Sequence, residues 1–148
     1  MYVEGVQIAK LDRHPEFVEP AVDWMISEWG NASREVAAES LEPNAERPSA
    51  LVAISPQGLV GVLSYRMYLL AKRGSMELWV NALYVVAPWR GRGVGTCLLR
   101  EGMRTAADSG RSRLYVYTDI PGFYEKVGWE RFSYNRETAM YVLELSLA

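Results

Sequence analysis

The chain has 148 residues, of which 49% are apolar, and its formal net charge at pH 7 is −2. This length fits a single domain over 1–148, and the apolar content argues against a disordered chain. The small net charge supplies no strong field of one sign, so we expect no nucleic-acid partner. With Cys97 as the single cysteine and His14 as the single histidine, we expect neither an internal disulfide nor a metal site.

The sequence shows no signal for export or membrane insertion. The N-terminus lacks a basic run followed by an apolar stretch, so no signal peptide is predicted. The uncharged stretch that begins at Leu78 reaches only to Arg90, and even the longer one over 48–65 is shorter than the roughly 20 apolar residues that a spanning helix needs. We therefore expect a soluble cytoplasmic protein with no membrane partner.

The first half of the chain predicts a strand, two helices and a β-hairpin. Apolar side chains spaced three and four residues apart predict an amphipathic helix that opens at Pro15 and ends near Gly30. Asn31 or Ser33 is suited to cap the helix that follows. Two β-rich runs around the turn 55–58 predict an antiparallel hairpin. In chain order these elements are a strand over 6–11, helices over 15–29 and 33–41, and strands over 50–54 and 59–70.

The second half predicts a long strand, two helices and three shorter strands. Pro88 stops the long strand, and Gly110 ends the longer helix. The elements are a strand over 76–86, a helix over 93–109, a strand over 113–117, a helix over 123–127, and strands over 129–134 and 138–145. The order β-α-α-β-β-β-α-β-α-β-β predicts an α/β protein with one mixed sheet and helices on both of its faces.

The turn between the long strand and the next helix has the composition of a phosphate-binding loop. It reads Arg-Gly-Arg-Gly-Val-Gly-Thr over residues 90–96. Glycines permit positive φ and a close approach of the backbone to a ligand, and the first turn of a helix has unpaired N–H groups. The two arginines add charge and hydrogen-bond donors. The segment therefore predicts a site for a phosphate or diphosphate group.

Two better-known phosphate loops do not fit this turn. The dinucleotide fingerprint Gly-x-Gly-x-x-Gly needs a third glycine, but the required position holds Thr96 or Leu98, depending on the starting glycine. The nucleoside-triphosphate loop needs a Gly-Lys pair, which the chain does not contain. The pattern that remains is Arg-x-x-Gly-x-Gly over residues 90–95.

This pattern, in its context, resembles the central signature of the GNAT superfamily of N-acetyltransferases. That signature is a strand ending Leu-x-Val, a turn with proline, and Arg/Gln-x-x-Gly-x-Gly/Ala at a helix start. Leu83, Val85, Pro88 and residues 90–95 match it. Downstream, residues 123–129 resemble the second signature, aromatic-Tyr-x-x-x-Gly-aromatic. The predicted order of elements also matches, so the resemblance covers nearly the whole chain.

The resemblance implies the GNAT fold, whose central mixed sheet is splayed between its fourth and fifth strands. It also implies acetyl-CoA as the co-substrate, with pantetheine in the split and the diphosphate on the backbone amides of the glycine turn. No metal is expected. The implied coenzyme-binding residues are Leu83, Tyr84, Val85, Arg90, Gly91, Arg92, Gly93, Val94, Gly95 and Thr96.

Acetyl transfer to an amine requires a neutral amine, donors for the oxyanion and a proton for the leaving thiolate. The resemblance implies that Tyr124 lies near the thioester sulfur, where a phenol can act as the acid. Strand alternation predicts that Glu77 and Asn81 share one face with Leu83 and Val85. Glu77 could then take a proton through water, and Asn81 could position that water or the acceptor. Equally open are a solvent-end carboxylate, a structural amide, and an amine that arrives neutral.

The acceptor pocket is harder to predict than the coenzyme site. The resemblance implies that the helix over 15–29 borders it, so Glu28 and Trp29 are candidates to contact a cationic amine. Trp79 and Asp119 are further candidates, although aromatic side chains are more often part of a core. We expect an amine-bearing small molecule or peptide as the partner, whose amine attacks the thioester directly through a tetrahedral intermediate.

Three alternatives remain open at this point. The domain could bind acyl-CoA or a regulatory ligand without turnover, or it could use another acyl chain or a hydroxyl acceptor. The intact glycine turn and Tyr124 together favour an enzyme. A homodimer is possible through the terminal strands.

Overall fold

The computed structural model describes residues 3–30 and 33–147, apart from the side chain of Trp29. It contains the following strands and α-helices: β1 (Gln7–Lys10), α1 (Val18–Trp29), α2 (Arg34–Leu41), β2 (Leu51–Ser55), β3 (Gly58–Leu70), β4 (Ser75–Val85), α3 (Val94–Asp108), β5 (Arg113–Thr118), α4 (Pro121–Glu125), β6 (Glu130–Asn135) and β7 (Met140–Ser146). The order of these elements along the chain is the predicted one.

The seven strands form one mixed sheet in the order β1-β2-β3-β4-β5-β7-β6. Only β4 and β5 run parallel, and the other neighbours are antiparallel. The parallel pair follows from the chain order, because α3 connects β4 to β5 and a crossover helix returns the chain in the same direction. The predicted mixed α/β sheet is confirmed.

Helices cover both faces of the sheet because successive strand residues point to opposite sides. On β2, Leu51 packs in a core with Leu98 and Leu99 of α3, whereas Val52 packs with Val22 of α1 and with α2. We call these sides the α3 face and the α1 face. Among the described helices, none combines the length and the apolar character needed to cross a bilayer.

Helix boundaries differ from the predictions where prolines and caps act locally. Pro15–Phe17 is a 3-10 turn, so α1 begins at Val18 rather than Pro15. The Ser33 hydroxyl accepts a hydrogen bond from Val36 N at 3.2 Å and caps α2 as predicted, while Asn31 lies outside the described residues. Helix α4 begins at Pro121 and ends at Glu125, earlier than the predicted 123–127, because proline occupies the first helical turn.

The bond from Tyr65 to helix α3 ties this helix to the centre of the sheet. The side chain is 1% exposed, and its hydroxyl donates to the Gly102 carbonyl at 2.6 Å. We expect Tyr65→Phe to lower the free energy of unfolding by about 1 kcal/mol, since one buried hydrogen bond is lost. Urea unfolding would measure this, with Tyr134→Phe on the exposed face of β6 as the control. Equal stability of the two variants would contradict the assignment.

Candidate functional site

A β-bulge in β4 decides which residues face which side of the sheet. Ser64 pairs with Ala82 but Tyr65 pairs with Val80, so Asn81 is the extra residue of β4. An extra residue reverses the alternation of side chains beyond it. The expectation that Glu77, Asn81, Leu83 and Val85 share a face is therefore wrong. Leu78, Val80, Leu83 and Val85 belong to the α3 face, whereas Trp79, Asn81, Ala82 and Tyr84 belong to the α1 face.

The sheet is split immediately beyond the bulge. The pairing of β4 with β5 comprises Trp79 with Tyr115 and Val80 with Val116, and the strands diverge after these residues. The order of strands and this divergence agree with the predicted splay between the fourth and fifth strands.

The edge of β4 that faces the split offers backbone groups that no neighbouring strand pairs beyond Val80. Val86 N donates to Val60 O at 2.9 Å, which fixes every second residue of β4 as hydrogen-bonded to β3. Leu83 and Val85 therefore direct their N–H and C=O groups toward the split. Tyr84 instead turns its backbone toward β3, and its ring packs on Trp24 with centroids 5.1 Å apart. Of the three residues predicted here, the structure brings Leu83 and Val85 to the split and turns Tyr84 away.

The glycine turn leads directly into helix α3. Gly91 and Gly93 have φ of +75° and +91°, which other residues adopt only with strain. Cys97 N donates to Gly93 O at 3.0 Å as the first bond of the helix, and no side chain caps it. The N–H groups of Val94, Gly95 and Thr96 thus have no helical partner. Three donors and the positive end of the helix dipole suit a diphosphate.

The two arginines of the turn differ in their surroundings. Arg90 donates from Nε to the Val85 carbonyl at 2.7 Å, and its guanidinium lies 5.4 Å from the centre of the Tyr84 ring. Arg92 lies over Trp89, 4.9 Å from the ring centre. Both side chains are exposed, so both can approach an anion from solvent. Arg90 also lines the cavity described next, whereas Arg92 lies beside it.

A cavity of about 570 Å³ joins the split to the glycine turn, and we call it the turn cavity. Its walls include the backbone edge of β4, the start of α3 and the aromatic pair of α4, among them Leu83, Val85, Gly93, Thr96, Phe123 and Tyr124. A side-chain carbon at Gly95 would come within 3.4 Å of the Phe123 ring, so glycine keeps this passage open. Apart from Tyr84 and Arg92, the predicted coenzyme residues are thus brought together around one cavity.

Tyr124 lies on the wall of the turn cavity with its ring held firmly. The side chain is 5% exposed, and its ring meets Phe123 and Trp129 edge to face, with centroids 5.2 and 5.4 Å apart. Burial raises the pKa of the phenol to about 12. The sign of this shift favours the neutral form, so the hydroxyl keeps its proton throughout the physiological range.

The remaining predicted catalytic residues lie on the α1 face. Asn81 is exposed, and its Nδ2 donates to Ser64 Oγ at 3.3 Å. Glu77 accepts a hydrogen bond from Ser75 Oγ at 2.6 Å. Because Glu77 precedes Asn81 by four residues, it lies about 13 Å farther along the strand from the split. The structure places Asn81 at the split and does not bring Glu77 to it.

A second cavity, of about 660 Å³, opens on the α1 face, and we call it the aromatic cavity. Its walls include Arg66, Tyr68, Trp79, Asn81, Tyr117 and Phe132. Of the predicted acceptor residues, the structure brings Trp79 here. Glu28 and Asp119 are exposed and line neither the turn cavity nor the aromatic cavity. The side chain of Trp29 lies outside the described residues.

Arg66, Tyr68, Tyr117 and Phe132 were not predicted as site residues. They belong to β3, β5 and β6, which are distant in sequence and meet only through strand pairing. Alternation along β3 could have placed Arg66 and Tyr68 on one face, but nothing in the sequence indicates that this face lines a cavity.

The chain is an α/β protein whose mixed sheet splits beside a glycine turn, with a tyrosine buried on the cavity wall. Similarity to known proteins identifies the family with these features. The family described as Acetyltransferase (GNAT) domain matches residues 46–131, which is more than half of the chain. The chain therefore belongs to the GNAT acetyltransferase family. No curated protein matches it.

Solved structures share this fold over nearly the full chain. An aminoglycoside 6'-N-acetyltransferase complexed with coenzyme A superposes with a TM-score of 0.76 at 18% identity, covering 96% of this chain and 97% of that one. The NatC complex bound to Gag peptide and CoA gives 0.75 at 17% identity, with coverage of 97% and 99%. The aminoglycoside 6'-N-acetyltransferase from Enterococcus faecium gives 0.73 at 19%, with coverage of 96% and 97%. The TM-scores establish a shared fold, and at these identities the likeness extends to the fold alone.

Proposed function

We propose that this protein transfers an acetyl group from acetyl-CoA to a primary amine. One observation carries the proposal: a single cavity joins the edge of β4 at Leu83 and Val85, the first N–H groups of α3 and the side chain of Tyr124. The edge of β4 matches the pantetheine arm of acetyl-CoA, the N–H groups match its diphosphate, and Tyr124 matches its thioester sulfur. The family membership makes acetyl transfer the expected reaction, and coenzyme A in similar structures supports the choice of donor.

The residues of the cavity fit the coenzyme by their chemistry. The N–H and C=O groups of Leu83 and the N–H group of Val85 can pair with the amides of pantetheine in the manner of an added strand, while the Val85 carbonyl is bonded to Arg90. The N–H groups of residues 94–96 and the guanidinium of Arg90 can hold the diphosphate. Acetyl-CoA supplies the activated acetyl thioester, so the protein need only bind, orient and move protons.

In the proposed reaction, the lone pair of the amine forms the new C–N bond and the C–S bond to coenzyme A breaks. Tyr124 donates a hydrogen bond, and then its proton, to the leaving sulfur, and the phenolate regains a proton from water before the next turnover. The proton lost by the amine nitrogen passes to water, because the structure places no carboxylate of β4 at the split. Asn81, where β4 leaves β5, is positioned to orient the incoming amine or a water molecule.

The proposal is tested by mixing the protein with acetyl-CoA and a panel of primary amines while a thiol-reactive dye reports free coenzyme A. We expect thiol release that depends on the amine, with the acetylated amine detected by mass spectrometry. Coenzyme binding without amine-dependent release would support a non-catalytic module instead. Faster release from propionyl-CoA or butyryl-CoA would indicate another acyl chain, and release driven only by alcohols would indicate a hydroxyl acceptor.

A further inference from the structure

The aromatic cavity lies where an acceptor must enter, if the proposed function is correct. It includes Val80, the last β4 residue paired with β5, and Asn81, the bulged residue that follows it. The turn cavity lies on the α3 face, so an amine that meets the thioester in the split can arrive from the α1 face. An adjoining cavity of about 500 Å³, bounded by α1 and α2, shares Arg66 and Asn81 with it.

The charge of the aromatic cavity is positive. Two of its wall residues, Arg66 and Lys72, are cationic, and none is a carboxylate. Within residues 3–30 and 33–147, neither cation forms an ion pair: Arg66 lies 4.7 Å from the centre of the Tyr68 ring, and Lys72 lies 5.8 Å from that of Phe132. Cations held over aromatic rings keep their charge available for an anionic ligand.

Two carboxylates, Glu144 and Glu77, adjoin wall residues along the strands but are not themselves on the wall of the aromatic cavity. Glu144 pairs with Arg73 at 2.7 Å and accepts a hydrogen bond from the Tyr115 hydroxyl at 2.9 Å. Glu77 accepts one from Ser75 at 2.6 Å. Arg73 offsets the charge of Glu144, whereas Glu77 keeps its charge but is not a wall residue. A polycationic amine would therefore meet Arg66 and Lys72 with no carboxylate on the wall of the aromatic cavity, and like charges in such a site oppose binding.

The adjoining cavity does not supply the negative charge that the wall of the aromatic cavity lacks. It contains one carboxylate, Glu39, together with the guanidinium groups of Arg47 and Arg66. Arg47 is bonded through Nε to the Glu42 carbonyl at 3.0 Å, which holds its side chain in place. Arg66 is the cation that lines both cavities. Arg66 also pairs in register with Trp79, one residue before Val80, which places it beside the split.

From these observations we propose that the acceptor is a small amine that carries a carboxylate and a flat apolar body. The carboxylate would pair with Arg66, the body would stack among Tyr68, Trp79 and Phe132, and the amine would point past Asn81 into the split. This proposal rests on the proposed function and specifies its substrate class. It separates this chain from an acceptor rich in positive charge, although similar folds include aminoglycoside acetyltransferases.

Matched acceptors test the proposal directly. L-Phenylalanine and L-phenylalaninamide differ at the carboxylate, and amidation lowers the pKa of the amine, so intrinsic reactivity at neutral pH favours the amide. We expect kcat/KM to favour phenylalanine by about tenfold or more, as one charge-assisted contact provides. Spermidine and kanamycin should be poorer acceptors than both. A preference for the amide or for the polycations would overturn the proposal.

A variant that removes the charge of Arg66 tests whether this residue binds the carboxylate of the acceptor. Arg66→Gln should lower kcat/KM for phenylalanine by about tenfold, change that for phenylalaninamide less than about twofold, and leave coenzyme affinity unchanged. Arg13→Gln, an exposed arginine in the 3-10 turn after β1, is the matched control and should change neither. An equal loss with both acceptors would contradict a carboxylate contact at Arg66.

Binding measurements separate failure of this inference from failure of the proposed function. Turnover of amides and polyamines without preference for phenylalanine would leave the acetyltransferase assignment standing and overturn the anionic acceptor. If no amine is acetylated, calorimetry with phenylalanine and the coenzyme-loaded protein decides the matter. Binding that is lost in Arg66→Gln would support the site, and absence of binding to the wild type would overturn it.

Discussion

Gly93→Asp should reduce the affinity for coenzyme A by about 100-fold or more. Gly93 begins helix α3 with φ of +91°, beside the three unpaired N–H groups that we assign to the diphosphate. A carboxylate about 5 Å from a phosphate costs about 3 kcal/mol at an effective dielectric constant of about 20, which corresponds to about a 100-fold loss. Isothermal calorimetry with coenzyme A measures the effect.

Two variants separate charge from backbone strain in this experiment. Gly93→Asn has the shape of the aspartate variant without its charge, and asparagine tolerates the left-handed region. It should bind at least about tenfold more tightly than Gly93→Asp. Gly110→Asn, at φ of +93° beyond the far end of α3, should leave affinity unchanged. Unaltered affinity in Gly93→Asp would remove the glycine turn from the coenzyme site.

Tyr124→Phe should lower kcat by about 100-fold or more while the dissociation constant for acetyl-CoA stays within about twofold, since general acid catalysis contributes rate rather than ground-state binding. Phenylalanine retains the edge-to-face packing on Phe123 and Trp129, so the fold should be kept. Steady-state kinetics and calorimetry on the same preparation measure the two quantities. Tyr65→Phe is the control, because its buried hydroxyl bonds to Gly102 and should not affect kcat. Normal turnover in Tyr124→Phe would remove the phenol from the mechanism.

The pH dependence of the wild-type protein provides an independent check on Tyr124. Because burial raises the pKa of this phenol to about 12, its proton is retained up to the alkaline end of an ordinary assay. The rate should therefore rise as the acceptor amine loses its proton and then stay level to about pH 10. A fall with a midpoint below pH 10 that disappears in Tyr124→Phe would contradict a buried, neutral phenol.

The bulge at Asn81 places the turn cavity and the aromatic cavity on opposite sides of one sheet. Residues of β4 before it contribute Trp79 to the aromatic cavity, and residues after it contribute Leu83 and Val85 to the turn cavity. The two faces of the sheet meet at the split, which begins beside the bulge. A regular strand would have put all five odd positions from Glu77 to Val85 on one face, so Trp79, Leu83 and Val85 could not have lined cavities on opposite sides.

Much of the coenzyme site was predictable because its signals are local. The Leu-x-Val strand end, the glycines of residues 91–95 and the tyrosine after Phe123 are contiguous motifs. Such motifs act through backbone conformation and helix termini, which short segments fix by themselves. The predicted boundaries of α1 and α4 were less accurate. A proline begins the first turn in each case, and the neighbouring residues decide whether that turn is a 3-10 turn or part of the α-helix.

The sequence alone determined the order of elements, the mixed sheet and the loop that suits a diphosphate, because periodicity and glycine placement are properties of neighbouring residues. The tertiary structure decided the rest. It turned Tyr84 away from the split, moved Glu77 away from the chemistry and assembled Arg66, Trp79 and Phe132 into one cavity. A bulge and the divergence of two strands produce these results, and both arise from pairing between segments that are far apart in the chain.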